Sequence, residues 1–329
     1  MVRFCDYARE WLYGAEGYYT KAPAIGKRGD FYTSVSVTPF FGGAIAVFLT
    51  RQIESARLPE NATVIEFGAH DGRLIADVVQ FIHTLEPRLL NTLKFAIIEP
   101  IATLRERQKR YLSASFGEAI DLVIAPSIEH IETKTAFVYA NELFDAFAFD
   151  LIDGEKIAFV RNGVIEWKQA DRQTIEKARG LGIIRGELFC GYEEFASALK
   201  RRFEKIAFMT FDYGEIAPRN DFSARIYANH KVLPLFELKT LSPYFAQTDL
   251  SADAPFWHIK QAFLDAGFAN AEIKAQNVAL LEMGLTDLLN LYQEKAGFDA
   301  YIREVGRIRA LLDPAQLGEK FKRLLALLD

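Results

Sequence analysis

A chain of 329 residues that is 50% hydrophobic and 13% aromatic has enough apolar mass for one large α/β domain with additions, or for two modest domains. A net charge of −5 and a pI near 5.7 argue against a surface built for phosphate backbones, so nucleic acid is not an expected partner. No apolar run reaches the roughly 18 residues of a bilayer span, and the stretch from Met1 to Asp6 lacks the apolar core of a secretory signal, so a cytoplasmic enzyme or binding protein is expected.

Residues 3–13 read as a short helix closed by Gly14, and Thr38-Pro39 reads as a cap and first position of a second helix running to about Ile53. Between them lies Gly26-Lys27-Arg28-Gly29-Asp30-Phe31-Tyr32-Thr33-Ser34, which is either an ordinary surface loop or a substrate loop leading into a helix N-terminus. Residues 1–58 are therefore expected to form an N-terminal helical cap, and 59–329 the core.

The stretch from Thr63 to Val79 is the most informative. The apolar run Val64 to Phe67 is too short for a helix and reads as a buried strand, whereas Leu74, Val78 and Ile82 recur at helical spacing. The period changes at Gly68 and Gly72, where backbone N–H groups and a helix N-terminus would face a ligand.

Leu93 to Ile98 is a second buried strand ending in Glu99, an acid at the position from which a carboxylate can accept both hydroxyls of a ribose. The bland alternative is a solvated acid favoured by the next helix dipole. That helix carries Leu104, Gln108 and Leu112 on one face. Asp121 to Ala125 and Thr135 to Ala140 are further strands, the second ending in Asn141-Glu142-Leu143-Phe144-Asp145 and so placing an amide and two acids at the same sheet edge.

The texture changes at Phe147. Asp153-Gly154 and Asn162-Gly163 predict tight hairpins joining three short strands up to Trp167, an antiparallel insertion over about 147–190. Ile206 to Phe211 resumes the core and ends in Asp212-Tyr213-Gly214; residues 216–254 are irregular except for an extended piece at 225–230. A helix capped at both ends is expected over Asp253 to Gly267, a strand over Glu272 to Leu281, and two helices within 286–312. Asp313-Pro314-Ala315-Gln316 reads as a capping box, and the Phe321 to Leu328 segment fits a helix by period but equally a closing strand.

Cys5 and Cys190 are far apart in sequence and read as packing residues, and the five histidines show no ligand spacing, so no metal site is expected. A nicotinamide dinucleotide fits poorly, because aligning Gly68 with the first glycine of Gly-x-Gly-x-x-Gly puts His70 and Arg73 at the other two. A ligand with one ribose and no phosphates suits the turn better. S-adenosylmethionine is such a ligand, with Glu66, Gly68, Gly72, Glu99 and Asn141 as the candidate cofactor residues.

Several blocks together resemble the MidA family of class I methyltransferases: Gly29-Asp30-Phe31-Tyr32-Thr33-Ser34 with Phe41-Gly42, Glu66-x-Gly68-x-x-x-Gly72-x-Leu74, Glu99 with Gln108, and Asn141 to Ala146. Asp212-Tyr213-Gly214, Arg225-x-Tyr227-x-x-His230 and Gly318-Glu319-x-Phe321-Lys322 follow in family order. The resemblance implies a doubly wound, seven-stranded class I methyltransferase sheet with an N-terminal helical cap and an antiparallel insertion, and it favours a closing strand for the Phe321 segment. It also implies methyl transfer to a protein side chain, an arginine in the family's characterised mitochondrial member. Glu142 and Asp145 are then the candidate catalytic carboxylates, and Gly29, Asp30, Thr33 and Ser34 the candidate substrate loop. The chain departs from the family pattern at Gly68-Ala69-His70 for Gly-Pro-Gly, at Ser34-Val35-Ser36 for Ser-Pro-Glu, and at Asp253, the last residue of the block resembling Asp-Leu-Thr-Ala-His. A scaffold protein that kept the fold while its site degraded is the alternative from another class.

Overall fold

The structure is a computed structural model and describes residues 1–21, 34–228 and 231–328. The candidate loop residues Gly29, Asp30 and Thr33, and His230 of the Arg225 block, lie outside the described residues. By their contacts the residues group into two compact units. The larger comprises 32–143, 198–212 and 267–329, and the smaller 1–31, 144–197 and 213–266, so the N-terminal stretch is shared between the two.

Seven strands organise the larger unit: β1 (Thr63–Phe67), β2 (Lys94–Ile98), β3 (Asp121–Ala125), β4 (Thr135–Asn141), β5 (Lys205–Glu215), β6 (Asn270–Ala275) and β7 (Phe321–Leu328). Their spatial order is β3-β2-β1-β4-β5-β7-β6. From β3 to β5 every pairing is parallel, so the apolar strands carry no polar alternation: four of the five residues of β1 are buried. The helix Arg73–Leu85 follows β1 and buries Leu74, Ile75, Val78, Val79 and Ile82. Phe40–Glu54 is a helix with almost every residue buried, and it joins the same core through Phe41, Ala44, Ile45 and Leu49.

β7 settles the ambiguous last segment as a strand. It pairs antiparallel with β6, from Asn270 opposite Leu327 to Ala275 opposite Lys322. Its buried residues are Phe321, Arg323, Leu324, Ala326 and Leu328, and Arg323 pairs with Glu272 of β6. The expected strand over Glu272 to Leu281 stops at Ala275, where a helix Gln276–Glu282 begins. The fully buried Gln276 explains the break, since its side chain accepts from Ser34 Oγ and donates to the Leu311 carbonyl. Asp313 caps the Ala315 N–H, and a single turn Pro314–Gly318 follows that is kinked at Gln316 (φ −103°, ψ −110°) and does not continue as a longer helix.

In the smaller unit the three expected insertion strands are present as Phe149–Asp153, Lys156–Arg161 and Val164–Gln169. Two strands that the pattern did not disclose complete the sheet, Arg185–Phe189 against Phe149–Asp153 and Val2–Arg3 against Val160 and Phe159. Arg185–Phe189 hides its alternation because the half-buried Glu187 accepts the N–H groups of Ser223 and Ala224, each at 2.8 Å. The supposedly irregular region contains a three-stranded antiparallel sheet of Lys231–Pro234, Arg225–Ala228 and Asp249–Ser251. The helix expected from Asp253 begins at Phe256, and Asp253 is not its cap; its carboxylate pairs with Arg225 at 2.7 Å and Arg219 at 2.8 Å.

Candidate functional site

In the larger unit Phe67 lies opposite both Ile98 and Ala140, and Asn141 lies opposite Phe211, so Gly68, Glu99 and Asn141 share the carboxyl edge of the sheet. The chain turns there on backbone that favours glycine: φ is 66° at Gly68 and 82° at Gly72. A Cβ at either would meet only ordinary contacts, Leu143 at 3.5 Å and Leu112 at 3.4 Å, so backbone conformation rather than space selects glycine. Gly68 N–H donates to Ile98 O (3.0 Å) and Gly72 N–H to Ala69 O (2.7 Å), which closes the turn.

His70, where the resemblance has glycine, adopts φ 45°. Histidine is among the few side chains enriched in this left-handed region, so the departure leaves the turn's backbone intact. His70→Gly is expected to change stability by no more than about 1 kcal/mol, relief of left-handed strain being offset by unfolded-chain entropy. Denaturant melts check the stability. Cofactor affinity, read by calorimetry, should stay within a few-fold; a loss of tenfold or more would give the imidazole a direct contact.

Glu66 is buried, with its carboxyl accepting from the Tyr139 hydroxyl (3.3 Å) and from the Ile75 N–H. Burial pushes it up to about 8, so at neutral pH it is a protonated strut joining β1, β4 and the helix start. Glu99 is also buried and raised by burial; its Oε1 accepts from Ile101 N–H at 3.0 Å, and Arg105 holds the carbonyls of Glu99 and Pro100 at 2.8 and 2.7 Å.

Gln108, one position of a helix face and a partner of Glu99 in the family resemblance, belongs with these residues. It is fully buried, its Nε2 donates to the His70 carbonyl at 3.0 Å and lies 3.5 Å from Glu99 Oε2, and its Oε1 has no partner among the described residues. One amide therefore ties the glycine turn to the acid on the neighbouring strand. The available signal was a glutamine between Leu104 and Leu112 in an otherwise apolar stripe.

At the end of β4, Asn141 Nδ2 donates to Glu142 Oε1 at 2.9 Å while its buried Oδ1 has no partner among the described residues. Glu142 has φ 53° and donates its N–H to Phe211 O at 2.8 Å. A non-glycine residue held in this conformation costs about 1–2 kcal/mol, which marks the position as one where the side chain's direction matters. Unsatisfied buried acceptors beside an acid at a parallel-sheet edge fit a polar ligand carrying a ribose and an amino-acid end. Ser34, the one described member of the candidate loop, is fully buried and spends its hydroxyl on Gln276.

Asp145 lies in the smaller unit. It is buried, which raises it above the usual carboxylate range, opposed by the Tyr213 hydroxyl and Arg225. Asp249 stands close enough to act on it electrostatically and is itself pushed up to about 7 by burial and by Asp145, opposed by Tyr19. Arg225 lies over the Tyr213 ring, 4.9 Å from its centroid, and Tyr213 Oη donates to Ser251 at 2.9 Å. Gly214 beside it is sterically required, since a Cβ there would sit 1.9 Å from Ala254 O. In the folded chain Asp249 keeps a proton that the unfolded chain has lost above about pH 4. Stability should thus fall as pH rises from about 4 to about 7 and level off above, where both states are ionised. Melting temperatures of Asp249→Asn and the unmodified chain across that window check this: the gap should shift in favour of the variant with rising pH.

The model of a family of S-adenosyl-L-methionine-dependent methyltransferases matches residues 44–273 of this chain. Among named relatives, the mitochondrial protein arginine methyltransferase NDUFAF7 of Xenopus tropicalis is 23% identical over 98% of this chain and 81% of its own length. The NDUFAF7 homolog of Drosophila melanogaster is also 23% identical, over 98% of this chain and 80% of its own length. A Burkholderia thailandensis protein crystallised with S-adenosyl-homocysteine superposes with a TM-score of 0.83 at 21% identity, over 100% of this chain and 88% of that one, a likeness of fold. With the family's model spanning both the glycine turn and the acids of the sheet edge, the chain belongs to this family of methyltransferases, and S-adenosylmethionine is its methyl donor.

Proposed function

We propose that this chain methylates a side-chain nitrogen of a protein, with arginine as the acceptor, and that Glu142 is the carboxylate that meets it. The observation that carries the proposal is the left-handed backbone of Glu142 at the carboxyl edge of β4, with Asn141 holding one of its carboxylate oxygens. The relatives named as protein arginine methyltransferases support the choice of acceptor. Glu66, Gly68, Gly72, Glu99 and Asn141 are proposed as the cofactor residues, with Gln108 added to them.

The bound cofactor supplies an electrophilic methyl group on a sulfonium, and displacement there is governed by alignment more than by proton transfer. The chain's own work is positional. Glu99 accepts hydroxyls, Gln108 keeps Glu99 and the turn in register, and Glu142 orients a guanidinium that stays protonated in bulk water and must have its charge localised. Asp145 is proposed as a supporting acid within the smaller unit's network.

The test uses methyl-labelled S-adenosylmethionine, the chain, and protein extract from cells lacking it, with the labelled residue identified by mass spectrometry. Label on arginine that disappears with Glu142→Gln supports the proposal. Label on lysine or on a carboxyl group would contradict the acceptor. A chain that binds the cofactor yet transfers no label would favour the scaffold reading.

A further inference from the structure

The chain's two cysteines lie far apart in sequence, yet the fold sets them side by side in the smaller unit. Cys5 is in the first turn of the helix Phe4–Tyr13, and Cys190 follows the strand Arg185–Phe189; the thiol sulfurs and a carboxylate oxygen of Asp150 all lie within 4.8 Å of one another. Asp150, fully buried, is the post to which both are fastened. Its Oδ1 accepts the Cys5 N–H at 3.1 Å, its Oδ2 lies 3.7 Å from Cys190 Sγ, and the Cys190 N–H donates to the carbonyl of Ala148, just before the strand that carries Asp150, at 2.9 Å.

We propose that Cys5 and Cys190 are a modification site: a dithiol that a peroxide closes to a disulfide, stapling the first helix to the inserted sheet. A metal ion is the less favoured occupant. Asp150 already gives Oδ2 to Arg3, at 2.6 and 2.8 Å, and Arg9 places a second guanidinium 3.6 Å from Cys5 Sγ, so an incoming cation would meet two positive charges and a carboxylate already spent. Cys190 is held as a thiol, because Cys5, burial and Asp150 all push it up. The switch is therefore slow rather than poised.

Cys190 is the less buried of the two and reacts first. Its sulfur attacks one peroxide oxygen and breaks the O–O bond, giving a sulfenic acid and one water, which carries away the thiol proton. Cys5 sulfur then displaces the hydroxyl from the sulfenic sulfur; the S–S bond forms and the second thiol proton leaves with hydroxide as a second water. Two thiols are oxidised and one peroxide is reduced, so the electrons balance.

The experiment treats the reduced full-length chain with hydrogen peroxide, counts thiols after denaturation, and maps an unreduced digest by mass spectrometry. Expected are loss of both thiols together, a peptide containing Cys5 joined to one containing Cys190, recovery of both thiols with dithiothreitol, and a melting temperature higher by several degrees in the oxidised form. Cys5→Ser should stop at a Cys190 sulfenic acid that dimedone traps, and Cys190→Ser should leave Cys5 unreacted. The proposal is overturned by two alkylatable thiols after treatment, by Cys190 sulfinic acid beside a free Cys5, by a link between chains, or by bound zinc that protects both. Should either variant fail to fold, the peptide map of the unmodified chain decides alone.

Discussion

Glu142→Gln is expected to lower methyl transfer by about 10²–10³-fold while leaving S-adenosylmethionine affinity within about twofold, a loss on the scale of removing one preorganised electrostatic group from a site. The substitution keeps side-chain size and the contact with Asn141 Nδ2, so it isolates charge from packing. A guanidinium acceptor needs that charge, since its own proton is not released to water. Turnover and calorimetry on the same preparation separate the two effects. Equal loss of binding and turnover would make Glu142 a cofactor residue instead.

The second large effect is expected at Glu99. Glu99→Ala should weaken cofactor binding by about 1.5–3 kcal/mol, or roughly 10–150-fold, the scale of hydrogen bonds to a charged acceptor. Part of that loss comes from the turn itself. Without the carboxylate, the Ile101 N–H and Gln108 amide lose an acceptor, and Gln108 is the group that holds the His70 carbonyl. Gln108→Ala should therefore reproduce a fraction of the loss without touching the ribose acceptor.

The strands that position the site were legible because both faces of a parallel sheet are covered, which leaves short unbroken apolar runs such as Phe95 to Ile98. The glycine turn was legible because the period changes across it. What the pattern concealed were places where a polar side chain is buried with a partner. Arg323 sits in β7 opposite Lys274 and pairs with Glu272, so the alternation of that strand was masked and a helical period of leucines showed instead. Glu187 did the same to Arg185–Phe189 by accepting backbone N–H groups from a loop distant in sequence. Gln276 turned an expected strand into a helix start, and Asp253 looked like a cap but serves two arginines.

The site was readable as a set of residue types at strand ends, but not as a set of bonds. The bonds Glu66 makes to Tyr139 and Ile75 under the turn, and the bridge Gln108 makes from the turn to Glu99, are set by the fold alone. The cysteines read as unrelated because sequence separation says nothing of the strand Phe149–Asp153 that brings both to Asp150. Backbone strain at Glu142 is likewise invisible in a sequence, since any residue can be written there and only the fold imposes φ 53°.

The most direct test of the proposed site is a crystal structure of the full chain with S-adenosylhomocysteine. The ribose hydroxyls should fall within hydrogen-bond distance of the Glu99 carboxylate, and the amino-acid end should lie over the turn from Gly68 to Gly72. A ligand bound elsewhere, or one whose ribose leaves Glu99 engaged only with Ile101 and Gln108, would contradict it.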